Sequence, residues 1–332
     1  MLMRILFIAM IGLVGCVPLK PVRVAFLDAA VHETSGLVFI DSTLWTINDS
    51  QNTPTLFRVN ANGLVEDSVL VYDASNTDWE DLSSDSLFVY IADVGNNLQV
   101  RGGFSVHAIS RRDFASRDSS IGSRSISFGR LPDQPAVFPK VGRRNFDVEA
   151  VFVKGGHLYF ISKNIKACGK SYGKLYRVPA SQGSGGVQLI DSFQFNEPIT
   201  SADYDAASNR LVATGYLSLF VFDDFNENNF SNSSPRRFRY NRVRQYESIT
   251  FDPTKQKLLL SNEKGLGKKS ALFEIPVERL SAESRAGAGF AWRRVKLTAI
   301  LWVYNYGVKR IAKRNDLHKP KPVPPSRLPN ER

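Results

Sequence analysis

Four glutamates recur in one local setting. Glu33, Glu80, Glu149 and Glu247 each open a short β-prone apolar segment, and Asp203 lies slightly later in a fifth. The next apolar segment ends in Asp49, Asp93, Lys163 or Glu263 in the four glutamate-led units. Carboxylates gathered in one place raise one another's pKa unless a cation or hydrogen bonds compensate. A ring of them would therefore take Ca²⁺, a bound cationic group, or the nearby bases Lys163, Lys264 and Arg101. With Asn96, Asn97 and Asn262 beside them, the donors are oxygen-rich and suit a hard cation. The same carboxylates have a structural use, accepting hydrogen bonds from backbone N–H groups of a neighbouring unit. For any one of them that use outweighs the ligand reading; for the set, both stand.

Other chemistries find little footing. His32, His107, His157 and His318 have no zinc-ligand spacing. There is no G-x-S-x-G elbow, and Gly265-Leu266-Gly267-Lys268-Lys269-Ser270 resembles a phosphate loop without the helix that should follow, so it reads as a β-turn. Cys168 is the one cysteine besides Cys16, so no internal disulfide is expected, and nothing around it favours a thiolate.

The elements that must position the acids repeat along the chain. Each unit runs acid-led strand, aromatic or aliphatic strand, Leu-Phe/Tyr-x-Val strand and a fourth strand. Trp79–Leu82, Leu87–Asp93, Phe104–Ile109 and Arg124–Phe128 form the clearest copy. Five such units without a long helix predict an all-β chain folded as a β-propeller of four-stranded blades. A four-stranded sheet that is apolar on both faces cannot bury both alone, so radial stacking is required. Val22–Leu27 precedes the first unit as fourth strands precede the others, and is expected to close the ring as the outer strand of the last blade. The count gives five blades; a sixth would follow if Trp292–Tyr304 adds strands. The expected organisation is a signal segment over 1–15, a lipidated anchor segment over 16–21, the propeller over 22–276 and a basic linker and tail over 277–332.

The two ends carry a separate message. A basic start, the apolar run Ile5–Val14 and then Leu13-Val14-Gly15-Cys16 have the anatomy of a secretory signal ending in a lipobox. Cys16 is thus the expected lipidation site. With Val17 after it and no acidic run, the expected location is the bacterial outer membrane, facing the periplasm rather than the surface. Of the formal charge of +11, residues 285–332 hold twelve Lys/Arg against Asp316 and Glu331. The rest is near neutral, which argues against a nucleic-acid partner. In the tail, Ala299–Tyr304 is an apolar run flanked by cations, either a further strand or a segment that meets anionic lipid or a partner.

The stretches Glu33-Thr34-Ser35-Gly36-Leu37, Asp78-Trp79-Glu80-Asp81-Leu82, Tyr90-Ile91-Ala92-Asp93-Val94-Gly95-Asn96-Asn97 and Leu259-Leu260-Ser261-Asn262-Glu263 resemble bacterial envelope propellers of the SdiA-regulated type. More distantly the chain is similar to phytase-like esterase and gluconolactonase-type propellers. The latter resemblance implies a divalent cation held by channel Glu, Asn and Asp, which transfers to Glu33, Glu80, Asp93 and Glu247 here. Two functions follow as expectations. One is a lipid-anchored binding or scaffolding module for an envelope protein or glycan. The alternative is a Ca²⁺-dependent hydrolase of lactones, esters or phosphoesters. The absence of a catalytic signature leans away from an enzyme.

Overall fold

A computed structural model describes residues 18–97, 101–116, 118–135, 145–163, 172–181, 186–265 and 268–280. The signal segment, Cys16, Cys168 and the tail with Trp292–Tyr304 lie outside the described residues. The first strand, β1 (Val22–Phe26), is followed by blade one: β2 (Thr34–Ile40), β3 (Thr43–Asn48), β4 (Thr55–Val59) and β5 (Val65–Val71). Blade two comprises β6 (Trp79–Ser84), β7 (Phe88–Asp93), β8 (Phe104–Ser110) and, after β9 (Ser120–Ile121), β10 (Arg124–Phe128). Blade three is β11 (Val148–Lys154), β12 (His157–Ser162), β13 (Gly173–Pro179) and β14 (Gln188–Phe193). Blade four is β15 (Ile199–Asp205), β16 (Arg210–Gly215), β17 (Ser218–Phe222) and β18 (Arg236–Arg239). Blade five takes β19 (Tyr246–Phe251), β20 (Lys257–Asn262) and β21 (Ala271–Pro276) from one end of the propeller and β1 from the other.

The chain is thus a five-bladed propeller closed by its N-terminal strand, as the repeat predicts, and the described ring closes without Trp292–Tyr304. One feature was not expected: β9 pairs in parallel with β5, so the excursion between β8 and β10 adds a short strand to blade one. The longest α-helix among the described residues is Arg111–Ala115.

Burial follows position in the blade. Innermost β2, β6, β11 and β19 are buried nearly throughout, because a neighbouring blade covers each face. Outer β5 and β10 alternate buried with exposed, the pattern of a sheet with one solvated side. Five apolar clusters fill the five seams. The four between consecutive blades hold fourteen or more buried residues each, such as Trp45, Trp79 and Phe114 between blades one and two. The closure seam holds six, Leu27, Val31, Leu37, Leu44, Val59 and Leu272, and opens into a groove of about 390 Å³.

Every inner hairpin carries a β-bulge near the start of the innermost strand, directly after the first pair in blades two to five and one residue later in blade one. A bulge sets two residues against one and turns a side chain out of the regular alternation. The five bulges put one repeated pair of residues around the axis.

Candidate functional site: an acidic cup at one end of the channel

Counting from the residues paired across the start of each hairpin aligns the blades. The pairs are Thr34 with Asn48, Trp79 with Asp93, Val148 with Ser162, Ile199 with Gly215 and Tyr246 with Asn262. The next residue inward is Ser35, Glu80, Glu149, Thr200 or Glu247, and the one after it Gly36, Asp81, Ala150, Ser201 or Ser248. One residue before the strand stand Glu33, Asp78, Asp147, Pro198 and Gln245. One residue after the second strand stand Asp49, Val94, Lys163, Tyr216 and Glu263.

This register corrects the repeat as read from sequence. Glu80, Glu149 and Glu247 share one position, but Glu33 lies two residues earlier, level with Asp78 and Asp147. Asp203 belongs to the far part of β15, where its carboxylate accepts from Phe251 N at 2.8 Å and Thr250 Oγ1 at 3.1 Å, tying blade four to blade five. Asp93 pairs within its strand, while Asp49, Lys163 and Glu263 sit one residue further out, with Tyr216 in the equivalent place. Sequence reasoning missed Asp78, Asp147 and Tyr216. The available signal was the acid immediately before Trp79 and Val148, at the place Glu33 occupies before Thr34.

Asp81, buried on the axial side of β6, ties the blades together and forms the floor beneath the other acids. Its carboxylate accepts from Leu82 N at 2.9 Å, Val151 N at 3.0 Å, Ala202 N at 3.3 Å and Ser201 Oγ at 3.0 Å. Ser201 Oγ in turn accepts from Ile249 N at 3.0 Å. One carboxylate and one hydroxyl thus join blades two to five. Gly36 must be glycine here: its φ is +68°, and a Cβ would lie 2.6 Å from Leu82 N.

Above this floor the acids face one another. Two triplets have carboxylate oxygens within 4.8 Å of each other, Asp49–Asp78–Glu80 and Glu80–Asp147–Glu149. Oxygen ligands on one Ca²⁺ lie about 2.3–2.6 Å from it, so separations up to roughly 5 Å fit a shared ion. Of the residues implied by the family resemblance, only Glu80 belongs to either triplet. Asp93 is neutralised by Arg101 at 2.7 Å and accepts from Asp78 N. Glu247 accepts from Tyr216 Oη at 3.2 Å. Glu33 is held by Asn52 at 2.8 Å, and Glu263 by Gln245.

Two oxygens in the triplets find no donor among the described residues. Glu80 Oε1 and Asp147 Oδ2 are buried without one, although Asp147 Oδ1 accepts from Asn96 N at 2.7 Å and the Asp147 side chain also meets the Glu149 carboxyl. Buried polar atoms are normally satisfied, so these two mark the place where a donor or cation fits. Gly95 makes room for the arrangement, since a Cβ there would stand 2.1 Å from Glu80 Oε1 and 2.5 Å from Asp78 Oδ2.

The electrostatics agree. Burial first, then Glu149, Asp49, Asp78 and Asp147, push the Glu80 carboxyl well up. Burial and the charges of Asp49 and Asp147 do the same to Asp78. Asp49 is pushed up to about 6 by burial, against hydrogen bonding from Ser50, and Glu247 to about 7 by burial, against Lys163. Lys163 binds Glu149 at 2.5 Å; burial works against its charge, but Glu149 and its other neighbours outweigh that and hold its pKa well up. The cup therefore has two sides. Toward blades one to three it is nearly all carboxylate; toward blades three to five Lys163, Tyr216 and Glu247 form a mixed, proton-bearing wall.

No family model matches the chain, and no curated protein does. Among solved structures, a nidogen/laminin complex aligns with 71% of this chain and 74% of its own at 12% identity and a TM-score of 0.42. The PQQ-bound aldose sugar dehydrogenase of Streptomyces coelicolor aligns with 78% of this chain and 97% of its own, at 11% identity and a TM-score of 0.42. A protein of unknown function from Bacteroides thetaiotaomicron aligns over 74% of this chain and 55% of its own, at 11% identity and a TM-score of 0.42. Similarity this distant carries no statement about function.

Proposed function

We propose that this protein is a lipid-anchored binding module of the bacterial outer membrane whose acidic cup holds a Ca²⁺ ion and presents it to an envelope protein or glycan. The observation that carries the reading is the pair of buried oxygens that find no donor among the described residues, Glu80 Oε1 and Asp147 Oδ2, inside the carboxylate triplets. Leaving such atoms bare is costly, and a hard divalent cation meets them, relieves the mutual repulsion of the acids and suits an all-oxygen donor set.

Elemental analysis of the chain purified from membranes without chelator tests this. At least one Ca²⁺ per chain is expected, lost on Glu80→Gln. Absence of metal from the wild type, together with no calorimetric response to added Ca²⁺, contradicts it.

One observation favours the second reading, a Ca²⁺-dependent hydrolase of lactones, esters or phosphoesters. Glu247, with its carboxyl near pH 7, is suited to general-base work and shares the cup with the carboxylate triplets. A bound Ca²⁺ would polarise a carbonyl or phosphoryl oxygen. Glu247 would hold or take the proton of an attacking water, while Tyr216, its hydrogen-bond partner, fixes the carboxylate. Turnover of an activated ester or lactone, abolished by Glu247→Gln while Ca²⁺ content is retained, would establish it; no turnover across those substrates excludes it.

A further inference from the structure

The described chain begins at a point already attached to the propeller. Leu19 is buried in the seam between blades four and five. It forms a parallel bridge to Tyr240, just past β18, donating N–H to Arg239 O at 2.7 Å and accepting from Asn241 N at 2.8 Å. Two residues, Val17 and Pro18, lie between it and Cys16, and three extended Cα-to-Cα steps span at most about 10 Å. The segment between a lipidated Cys16 and the folded body is therefore too short to act as a stalk.

We propose that the outer edge of blades four and five, around Leu19 and β1, is a membrane-contacting face that fits an anionic lipid surface. This rests on the reading of Cys16 as the lipidation site. Two kinds of residue cluster at that edge. Lys20, Arg23, Arg239 and Arg242 are all exposed. Val22, Val24 and Phe26 of β1 are large apolar residues left 44%, 42% and 47% exposed. Arg23 lies over the Phe26 ring at 4.1 Å and Lys269 at 5.6 Å.

Apolar side chains set among cations are the composition of an interfacial surface. Cations near an anionic leaflet attract it over about a Debye length, roughly 8 Å at physiological salt. The short anchor holds this edge within about that range. The geometry has a consequence for the cup. With the rim of the propeller against the lipid, the channel axis lies along the membrane plane, and the mouth opens sideways into the aqueous phase rather than onto the bilayer.

The test uses the full chain in vesicles containing about one third phosphatidylglycerol. In a Cys168→Ser background, a fluorophore is placed at Val22→Cys or at Ser127→Cys. Ser127 is exposed on the outer strand of blade two, across the ring from the seam between blades four and five. Mass spectrometry first establishes whether Cys16 carries acyl chains. Spin-labelled headgroups are expected to quench the Val22 probe at least threefold more than the Ser127 probe. Adding Arg239→Glu and Arg242→Glu, or replacing the anionic lipid by phosphatidylcholine, should reduce that ratio toward one. Equal quenching of the two probes on an acylated chain overturns the membrane-facing edge and leaves the anchor intact. A chain without acylation overturns the anchor and this inference with it.

Discussion

Glu80 and Asp81 are neighbours in sequence, both buried and both carboxylates, yet they do opposite things. Asp81 points to the floor, where it accepts hydrogen bonds from blades two, three and four. Burial pushes its carboxyl well up while those hydrogen bonds pull the other way, and every oxygen has a partner. Glu80 points to the mouth, where its neighbours are other acids and Oε1 finds no donor among the described residues. The bulge in β6 produces the contrast, because it lets two adjacent side chains leave the strand on the axial side. A carboxylate wrapped in donors from several blades is a fastener. One buried among like charges, with an oxygen that finds no donor, is the position at which the proposed cation would bind.

Substitutions can break or sharpen that comparison. The largest effect is expected at the floor. Asp81→Ala orphans the buried N–H groups of Val151 and Ala202, which at 1–3 kcal/mol for each unsatisfied donor should cost about 3 kcal/mol or more in urea unfolding. A loss below about 1 kcal/mol would mean that the ring does not depend on this hub. At the mouth the sign reverses. In chelator, Glu80→Gln should leave the midpoint unchanged or raise it, since it removes a buried charge from among like charges.

A smaller effect concerns pH. Asp49 and Glu247 have folded-state values of about 6 and about 7, above their unfolded values. Between the two limits the native state holds protons that the unfolded chain has lost, so stability falls as pH rises through that window. In chelator, the protein should be more stable near pH 5 than near pH 8. Glu247→Gln should flatten the upper part of the profile, and added Ca²⁺ should offset the decline. For Glu247 the facing groups are Lys163, Tyr216, Asp49, Asp147, Glu149 and Glu263. A profile that rises from pH 5 to pH 8 without cation contradicts the arrangement.

The smallest effect lies away from the cup. Asp203→Asn weakens the tie to Phe251 N and Thr250, at about 1 kcal/mol, and should leave cation binding untouched. This separates the far part of β15 from the mouth, where the sequence repeat alone would place Asp203.

The fold was legible because each blade repeats its strand order in residue types that burial enforces. Glu-led inner strands, Leu-Phe/Tyr-x-Val third strands and a displaced Val22–Phe26 identify the blades and the closure. The site was legible only in outline. Glu80, Glu149 and Glu247 fall together because their blades share spacing. Asp78 and Asp147 escaped because the position before a strand has no periodicity to mark it, and blade four fills it with Pro198. Glu33 was assigned to the wrong ring for the same reason: without the bulge register, one acid near a strand start resembles another. Leu19 falls within the anchor segment expected over 16–21, and a single apolar residue gives no sign that it packs on a blade formed more than two hundred residues later.

The central claim is that the mouth, and not the floor, is built for a divalent cation. Thermal unfolding of the wild type and Glu80→Gln in chelator and in excess Ca²⁺ tests it most directly. At a hundredfold excess over Kd, binding adds about 2.7 kcal/mol, a rise of several degrees for a domain of this size. The account predicts that rise for the wild type and its loss in Glu80→Gln, with Asp203→Asn responding as the wild type does. A wild type whose midpoint is the same in chelator and Ca²⁺, or a Glu80→Gln variant that responds fully, would contradict it.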